Sequence, residues 1–201
     1  MILFFDTETT GLPVKKVASN DPSQPHLVQL ALAMYNDDGS EASAQCVIIK
    51  PEGWTIPDDT IALHGISQDR ALAEGVPEVD AVAMYVTAVG QAELRVAHNE
   101  AFDCKIMRIA MLRADMTREQ IEAIEARPKY CTCNTASPIV NLPPTRRMLD
   151  YNIRTPKPPK LIECMQFFFQ EELPGAHDAL VDVRACARVY FHLKGMEKTS
   201  E

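Results

Sequence analysis

The stretch FFDTETTGL places Asp6 and Glu8 one residue apart, directly after the apolar run Met1–Phe5. Side chains alternate across an extended strand, so the two carboxylates point the same way, about 6.6 Å apart along it. Two anions held beside buried apolar residues repel each other and lose hydration, so the pair is costly unless a cation sits between them. Two further acids fit the same pattern. Asp103 is followed at i+4, i+7 and i+11 by Met107, Ala110 and Ala114, and Asp182 by Cys186, Val189 and Leu193. Each therefore shares the apolar stripe of a helix and is aimed inward. Taken singly, Asp103 is equally an acid favoured near a helix N-terminus, and Asp182 equally a surface acid. Taken together, four inward carboxylates require divalent cations, and oxygen-only donors select hard ions, Mg²⁺ or Mn²⁺, rather than zinc. Two such ions about 3.5–4 Å apart are suited to in-line displacement at phosphorus.

A base is within reach of the same site. His177 stands five residues before Asp182 and follows Pro174-Gly175-Ala176. Five residues turn a helix about 140° past one full turn, so the two share a site only if His177 lies in the loop entering the helix. Imidazole titrates near neutral pH and can take a proton from an attacking water. Without the four acids it would read as an ordinary loop histidine. Asp178, four residues before Asp182, reads as the helix cap and not as a ligand.

These residues need elements to hold them. The apolar start reads as a core strand, Leu27–Tyr35 as a second, and Ala44–Lys50 as a third that returns after the turn Asn36–Gly39. Short strands follow at Leu94–His98 and Lys129–Thr132. Helices are predicted over Pro57–Leu63, Pro77–Val89, Asn99–Arg113, Thr117–Ala126, Leu161–Gln170 and Asp178–Lys194. Val79, Val82, Val86 and Val89 form the expected core stripe of the second of these, and Thr117 with Gln120 a capping box. Three antiparallel strands, then strands alternating with helices, predict an α/β fold with a mixed five-stranded sheet and helices on its faces. No linker interrupts the chain, so residues 1–201 are read as one domain.

Composition narrows the class. The 201 residues are 46% hydrophobic and 24% charged, as in an ordinary globular domain. No apolar run approaches the roughly 20 residues of a membrane span, and the N-terminus lacks the pattern of a signal peptide, so a cytoplasmic protein is expected. The six cysteines are read as small core residues, because Cys131-Thr-Cys133 lacks zinc spacing and no second pair follows. A net charge of −8 and a pI near 5.2 argue against a sequence-independent DNA-coating protein. Thr145–Lys160 breaks the trend with five Lys/Arg against one Asp, so it carries +4 and the remainder −12. It reads either as a solvated basic loop or as a path on which Arg146, Arg147, Arg154 and Lys157 contact phosphates, with Lys157 and Lys160 projecting outward.

In order along the chain, DTETTGL, HNEAFD and HDALVD resemble the three signature blocks of the DnaQ-like DEDDh 3′–5′ exonucleases. The resemblance implies a ribonuclease H-like fold and two-metal removal of nucleotides from a 3′ end. Matched block by block, Asp6, Glu8, Asp103 and Asp182 take the metal-ligand roles and His177 that of general base. It also places Thr7, Thr9, Thr10, Gly11 and Leu12 against the terminal nucleotide. LHGIS nominates His64 and Ile66 beside the 3′ bases, while Asn99 and Phe102 match cleft positions. Core packing explains Ile66 and Phe102 equally well, and capping explains Asn99. The substrate implied is single-stranded DNA. Three alternatives are kept: RNA, a nuclease-like binding module without activity, and a proofreading partner of a polymerase. The few residues after the last helix favour a free-standing nuclease of phage or bacterial type.

Overall fold

The structure, a computed structural model, describes residues 1–199. Its strands are β1 (Ile2–Thr9), β2 (Leu27–Tyr35), β3 (Glu41–Ile48), β4 (Leu94–Ala97) and β5 (Lys129–Cys131). Between and after them come α1 (Asp58–His64), α2 (Gln68–Glu74), α3 (Glu78–Gln91), α4 (Glu100–Arg113) and α5 (Arg118–Glu125). The chain closes with α6 (Thr132–Val140), α7 (Arg146–Asp150), α8 (Leu161–Phe169) and α9 (Ala179–Thr199). The strands form one five-stranded sheet in the order β3-β2-β1-β4-β5. β1 pairs antiparallel to β2 and parallel to β4, β2 pairs antiparallel to β3, and β4 parallel to β5. This is the mixed α/β architecture expected from the sequence, with the apolar N-terminal strand at its centre.

β1 has no solvent face, and its side-chain period of two sorts its residues between two cores. Leu3 and Phe5 join Leu30, Leu32 and Met34 against α3, α4 and α5. Ile2 and Phe4 join Ala31, Ala33 and Val96 against Val183, Cys186, Ala187 and Tyr190 of α9. Burying Phe4 and Phe5 stabilises the fold by about 1.5–3 kcal/mol each. The strand does not stop at Phe5 but continues to Thr9. Asp6 and Glu8 therefore inherit Phe4's face, toward α9, and Thr7 inherits Phe5's, toward α4. α6 and α8 pack on α9 through Ala136, Val140, Cys164, Met165, Ala185 and Val189. A fourth cluster (Val28, Ile48, Ile56, Ile66 and Ala71) fixes α1 and α2 against the β2–β3 side.

The structure corrects several expectations. β3 begins at Glu41, and α2, α6 and α7 were not foreseen. In α3, Val82 and Val89 are buried but Val79 is 54% exposed; the inward stripe is Ala81, Val82, Tyr85, Ala88 and Val89. A run of valines at i+3 and i+4 was mistaken for the core because the true stripe includes two alanines and a tyrosine. Cys133, Cys164 and Cys186 are core residues as expected, whereas Cys46 is exposed. The basic segment is not a free loop. It contains α7, pairs Leu142 with Lys157 as an isolated bridge, and is pinned where His98 Nε2 meets the Pro159 carbonyl at 2.9 Å. Lys157 does not project outward but holds both Glu163 carboxylate oxygens, at 2.5 and 2.6 Å. Thr117 and Gln120 do form the expected capping box.

β4 also carries a buried cation. Arg95, 2% exposed, donates to the Tyr85 hydroxyl of α3 (3.0 Å), Cys104 Sγ of α4 (2.9 Å) and the Glu125 carbonyl of α5 (3.0 Å). It lies 3.6 Å from Glu100, itself 3% exposed, and Lys129 reaches the same carboxylate at 3.4 Å. Three helices are thus tied to one strand, and the start of α4 is fixed. Removing one partner of a buried ion pair leaves the other uncompensated, at a cost of about 3–5 kcal/mol. Arg95→Met is expected to lose stability of that order in chemical denaturation, and adding Glu100→Gln should recover part of it. A loss under about 1 kcal/mol for Arg95→Met would show that this pair does not fix α4.

Candidate active site

The C-terminal end of β1 is where the two faces of the sheet converge on acids. Candidate ligand atoms of Glu8, His177 and Asp182 lie within 4.8 Å of one another. His177 sits in the turn before α9, as its spacing from Asp182 required, with a left-handed φ of 70°. Few non-glycine residues adopt that conformation without compensation. Here the His177 N–H donates to Asp182 Oδ2 at 3.1 Å, which ties the turn to the first turn of α9. The imidazole is left exposed at the site's edge. The second oxygen, Asp182 Oδ1, is buried and has no hydrogen-bond partner among the described residues.

Asp103 arrives from the opposite face and is 2% exposed. Its Oδ1 accepts from both the Thr7 amide (3.0 Å) and the Thr7 hydroxyl (2.8 Å). Thr7, 5% exposed, thus holds Asp103 through both its amide and its hydroxyl. The same alternation that aims Asp6 and Glu8 at α9 makes this clamp on α4.

The acids carry the electrostatic signature of crowding. Burial, then the charges of Asp103, Asp182, Glu8 and Asp178, raise Asp6 well above the ordinary carboxylate range. Burial and the charges of Asp182, Asp103 and Asp178 push Glu8 up to about 8. Burial lifts Asp103 to about 7 although the Thr7 bonds oppose the shift. Asp182 is raised by burial, against the pull of the His177 amide and charge. A buried acceptor without a donor, among acids that resist ionisation and offer only oxygen atoms, fits a hard divalent cation. Asp6, Glu8, Asp103 and Asp182 would hold it.

Positioning residues surround these acids. Gln29 of β2, opposite Glu8 in register and 5% exposed, accepts from the Ala179 amide at 3.1 Å and so caps α9. Asp178 caps the same helix by accepting from Leu180 (3.0 Å) and Val181 (3.4 Å), as its spacing suggested. Gln29 was missed, because a lone glutamine inside an apolar strand gives no local signal. A register shift between Glu8 and Thr9 turns the chain out of the sheet just past the acids.

The nominated nucleotide contacts divide. Thr9 Oγ1 donates to the Gly11 carbonyl at 2.7 Å, and Thr10 Oγ1 accepts from the His26 amide at 2.8 Å, so both hydroxyls shape the turn. Gly11 has φ 150° with nothing near its absent Cβ, and Leu12 is 79% exposed. His64 is buried; its Nδ1 accepts from the Ile66 amide at 3.1 Å, while Nε2 has no partner among the described residues. Burial and the nearby charge of His177 lower its pKa. Ile66, 1% exposed, packs in the cluster with Val28, Ile48 and Ile56. Asn99 occupies the N-cap position of α4 in left-handed geometry but makes no side-chain cap bond, so capping does not explain its amide. Phe102 packs on the main core from a partly exposed position. Among the basic residues, Arg146 pairs with Asp150 at 3.1 Å and Lys157 with Glu163, while Arg154 donates to Asn152 at 3.4 Å.

Residues 3–190 match the exonuclease family designated RNase_T. Among solved structures, the chain superposes on the zinc-bound complex of E. coli ExoI with single-stranded DNA, at a TM-score of 0.72 and 18% identity. That match covers 98% of this chain and 41% of the other. The complex of E. coli exonuclease I with a 5cy-dT13 oligonucleotide gives a TM-score of 0.75 at 17% identity, with 98% and 41% covered. The chain thus spans about 41% of the length of these nucleases, and at such identity the likeness is one of fold. A search of the curated proteins finds no match. With the family matched over nearly its whole length, the chain belongs to the RNase T/DnaQ-like exonucleases, which are phosphodiester hydrolases.

Proposed function

We propose that this protein is a 3′–5′ exonuclease that removes mononucleotides from the 3′ end of single-stranded DNA. The observation that carries the reading is the convergence of Asp6, Glu8, Asp103 and Asp182 with His177 at the end of β1. A DNA strand is supported by the single-stranded DNA and dT13 bound in the related E. coli exonuclease I structures. When bound, a pair of divalent cations neutralises the carboxylates, seats the scissile phosphate and acidifies the attacking water. Asp6, Glu8, Asp103 and Asp182 would hold those charges, with Asp103 kept from swinging away by the Thr7 clamp. The His177 main chain is pinned by Asp182 while its ring stays exposed, so the ring can turn to take the proton of the attacking water. The exposure of Leu12, one residue past Gly11, supports a contact between its side chain and the nucleotide strand.

Incubating 5′-labelled DNA and RNA oligomers with Mg²⁺, with and without chelator, tests the reading. Ladders shortened from the 3′ end are expected on DNA, and chelator should stop them. Asp6→Asn and Asp182→Asn should abolish cutting, and His177→Ala should slow it about 10²–10⁴-fold. Retained cutting in either acid variant, or 5′-end shortening, would overturn the assignment.

The raised acids also fix a pH dependence of stability. Glu8 rises from 4.5 to about 8, and Asp103 from 3.8 to about 7. Between these limits the folded chain keeps protons that the unfolded chain has released, so the metal-free protein loses stability as pH rises from 5 to 8. The expected fall in Tm is several degrees, at about 2–4 °C per kcal/mol for a chain of this size. Mg²⁺ should raise Tm more at pH 8 than at pH 5, and Asp6→Asn should raise the metal-free Tm. A flat metal-free Tm across this range would contradict the crowding of the acids.

A further inference from the structure

An acidic protein that acts on a polyanion must offer cations somewhere along the strand's path. The basic segment 145–160 is a weak candidate, because Arg146 and Lys157 are already engaged with Asp150 and Glu163. Elsewhere, Arg70, Arg95, Arg108, Arg113, Arg184 and Arg188 also have carboxylate partners among the described residues. Lys15, Lys16 and Lys105 have none among the described residues, and all three line one cavity of about 510 Å³. Leu12, Val14 and Phe102 supply much of its apolar wall.

The cavity adjoins the acids through the chain itself. Leu12 lies three residues past the end of β1, and Phe102 immediately precedes Asp103. Lys105 lies three residues after Phe102, one helical turn on, so the two share a face of α4. The opposite wall is the stretch after Leu12, and it is built rather than loose. Gln24, 2% exposed, accepts from the Val14 amide (3.0 Å) and donates to the Val14 (3.2 Å) and Ala18 (3.1 Å) carbonyls. Arg113 donates to the Gln24 (2.6 Å) and Pro25 (2.8 Å) carbonyls, and Lys105 Nζ donates to Ser19 Oγ at 2.7 Å. One buried glutamine thus folds the stretch back on itself, and Lys105 ties it to α4. Lys15 and Lys16 are left exposed on its outer turn, with Lys16 at φ 68°.

We infer that this cavity is the track for the single strand upstream of the terminal nucleotide, with bases against Leu12, Val14 and Phe102 and phosphates on Lys15, Lys16 and Lys105. The inference rests on the exonuclease reading above and deepens it. Apolar walls flanked by ammonium groups suit an unpaired strand, whose bases seek apolar surface and whose backbone seeks charge. Charge complementarity selects a polyanion, and continuity with the acids at Leu12 and Phe102 selects the strand whose end lies there. The path runs along α4, past Phe102 and Lys105.

The test measures binding apart from cutting. The anisotropy of 5′-fluorescein dT12 is titrated with protein in EDTA at several salt concentrations, with rU12 in parallel to identify the sugar of the strand held more tightly. The variant Lys15→Ala/Lys16→Ala/Lys105→Gln keeps a neutral donor for Ser19, and Lys15→Ala/Lys16→Ala alone touches only exposed residues. The triple variant is expected to bind about tenfold more weakly at low salt, with a log–log salt slope shallower by about 2, near 0.7 per lost phosphate contact. The double variant should give an intermediate slope. Arg147→Ala/Arg154→Ala should change the slope less than either. Slopes equal to wild type in the lysine variants, a larger effect of the arginine pair, or no binding of either strand by wild type would overturn the inference. A dT12 that binds through these lysines yet stays intact with Mg²⁺ would instead strike at the exonuclease reading and leave the track standing.

Discussion

Carboxylates crowded into a half-dry pocket repel one another, and a fold that gathers four of them must either protonate them or meet them with cations. That repulsion is the constraint around which the rest of this molecule is arranged. Asp6, Glu8, Asp103 and Asp182 are all raised, each chiefly by burial, and Asp6 and Glu8 are raised further by the charges of the others. Alone, the arrangement is destabilising. It is tolerable because two cores, one on each face of β1, supply stability that does not depend on it.

The same geometry that makes the cores makes the site. A strand buried on both faces has no polar side to give away, so when its sequence turns acidic the acids are still aimed at what packs there. Even-numbered residues face α9 and meet Asp182 and His177; odd-numbered Thr7 faces α4 and takes Asp103. Placement is then refined by side chains that never touch a cation. Gln29 caps α9 from the neighbouring strand, and Arg95 locks the start of α4 from β4. The acids are thus held by a scaffold whose own polar side chains, Gln29, Arg95 and Glu100, are buried.

Much of this was legible in the sequence, and the reasons differ by element. The sheet could be read because β1 and β2 are long apolar runs and the Asn36–Gly39 turn separates two strands. The acids could be read because inward-facing charge on an apolar stripe has few structural explanations. What escaped depends on contacts distant in sequence. Nothing local to Thr7 shows that its hydroxyl meets Asp103, 96 residues away. Gln29 reaches 150 residues to Ala179, and Arg95 reaches 30 to Glu125. Helix α6 contains Pro138 and α7 has five residues, so neither carries a periodicity strong enough to announce itself. The excess charge of residues 145–160 was read correctly as a number but not as a surface, because Asp150 lies within the segment and Glu163 just beyond it.

On the proposed reading, the acids form one cation-dependent centre whose ligands hold protons until the cation arrives. Calorimetric titration of Mn²⁺ into the metal-free protein at pH 7, repeated in buffers of different ionisation enthalpy, reads both stoichiometry and protons displaced. With Glu8 at about 8 and Asp103 at about 7, the account predicts about two ions bound with net release of at least about one proton, the release shrinking in Glu8→Gln. Binding without proton release, or with stoichiometry and release unchanged in Glu8→Gln, would contradict it.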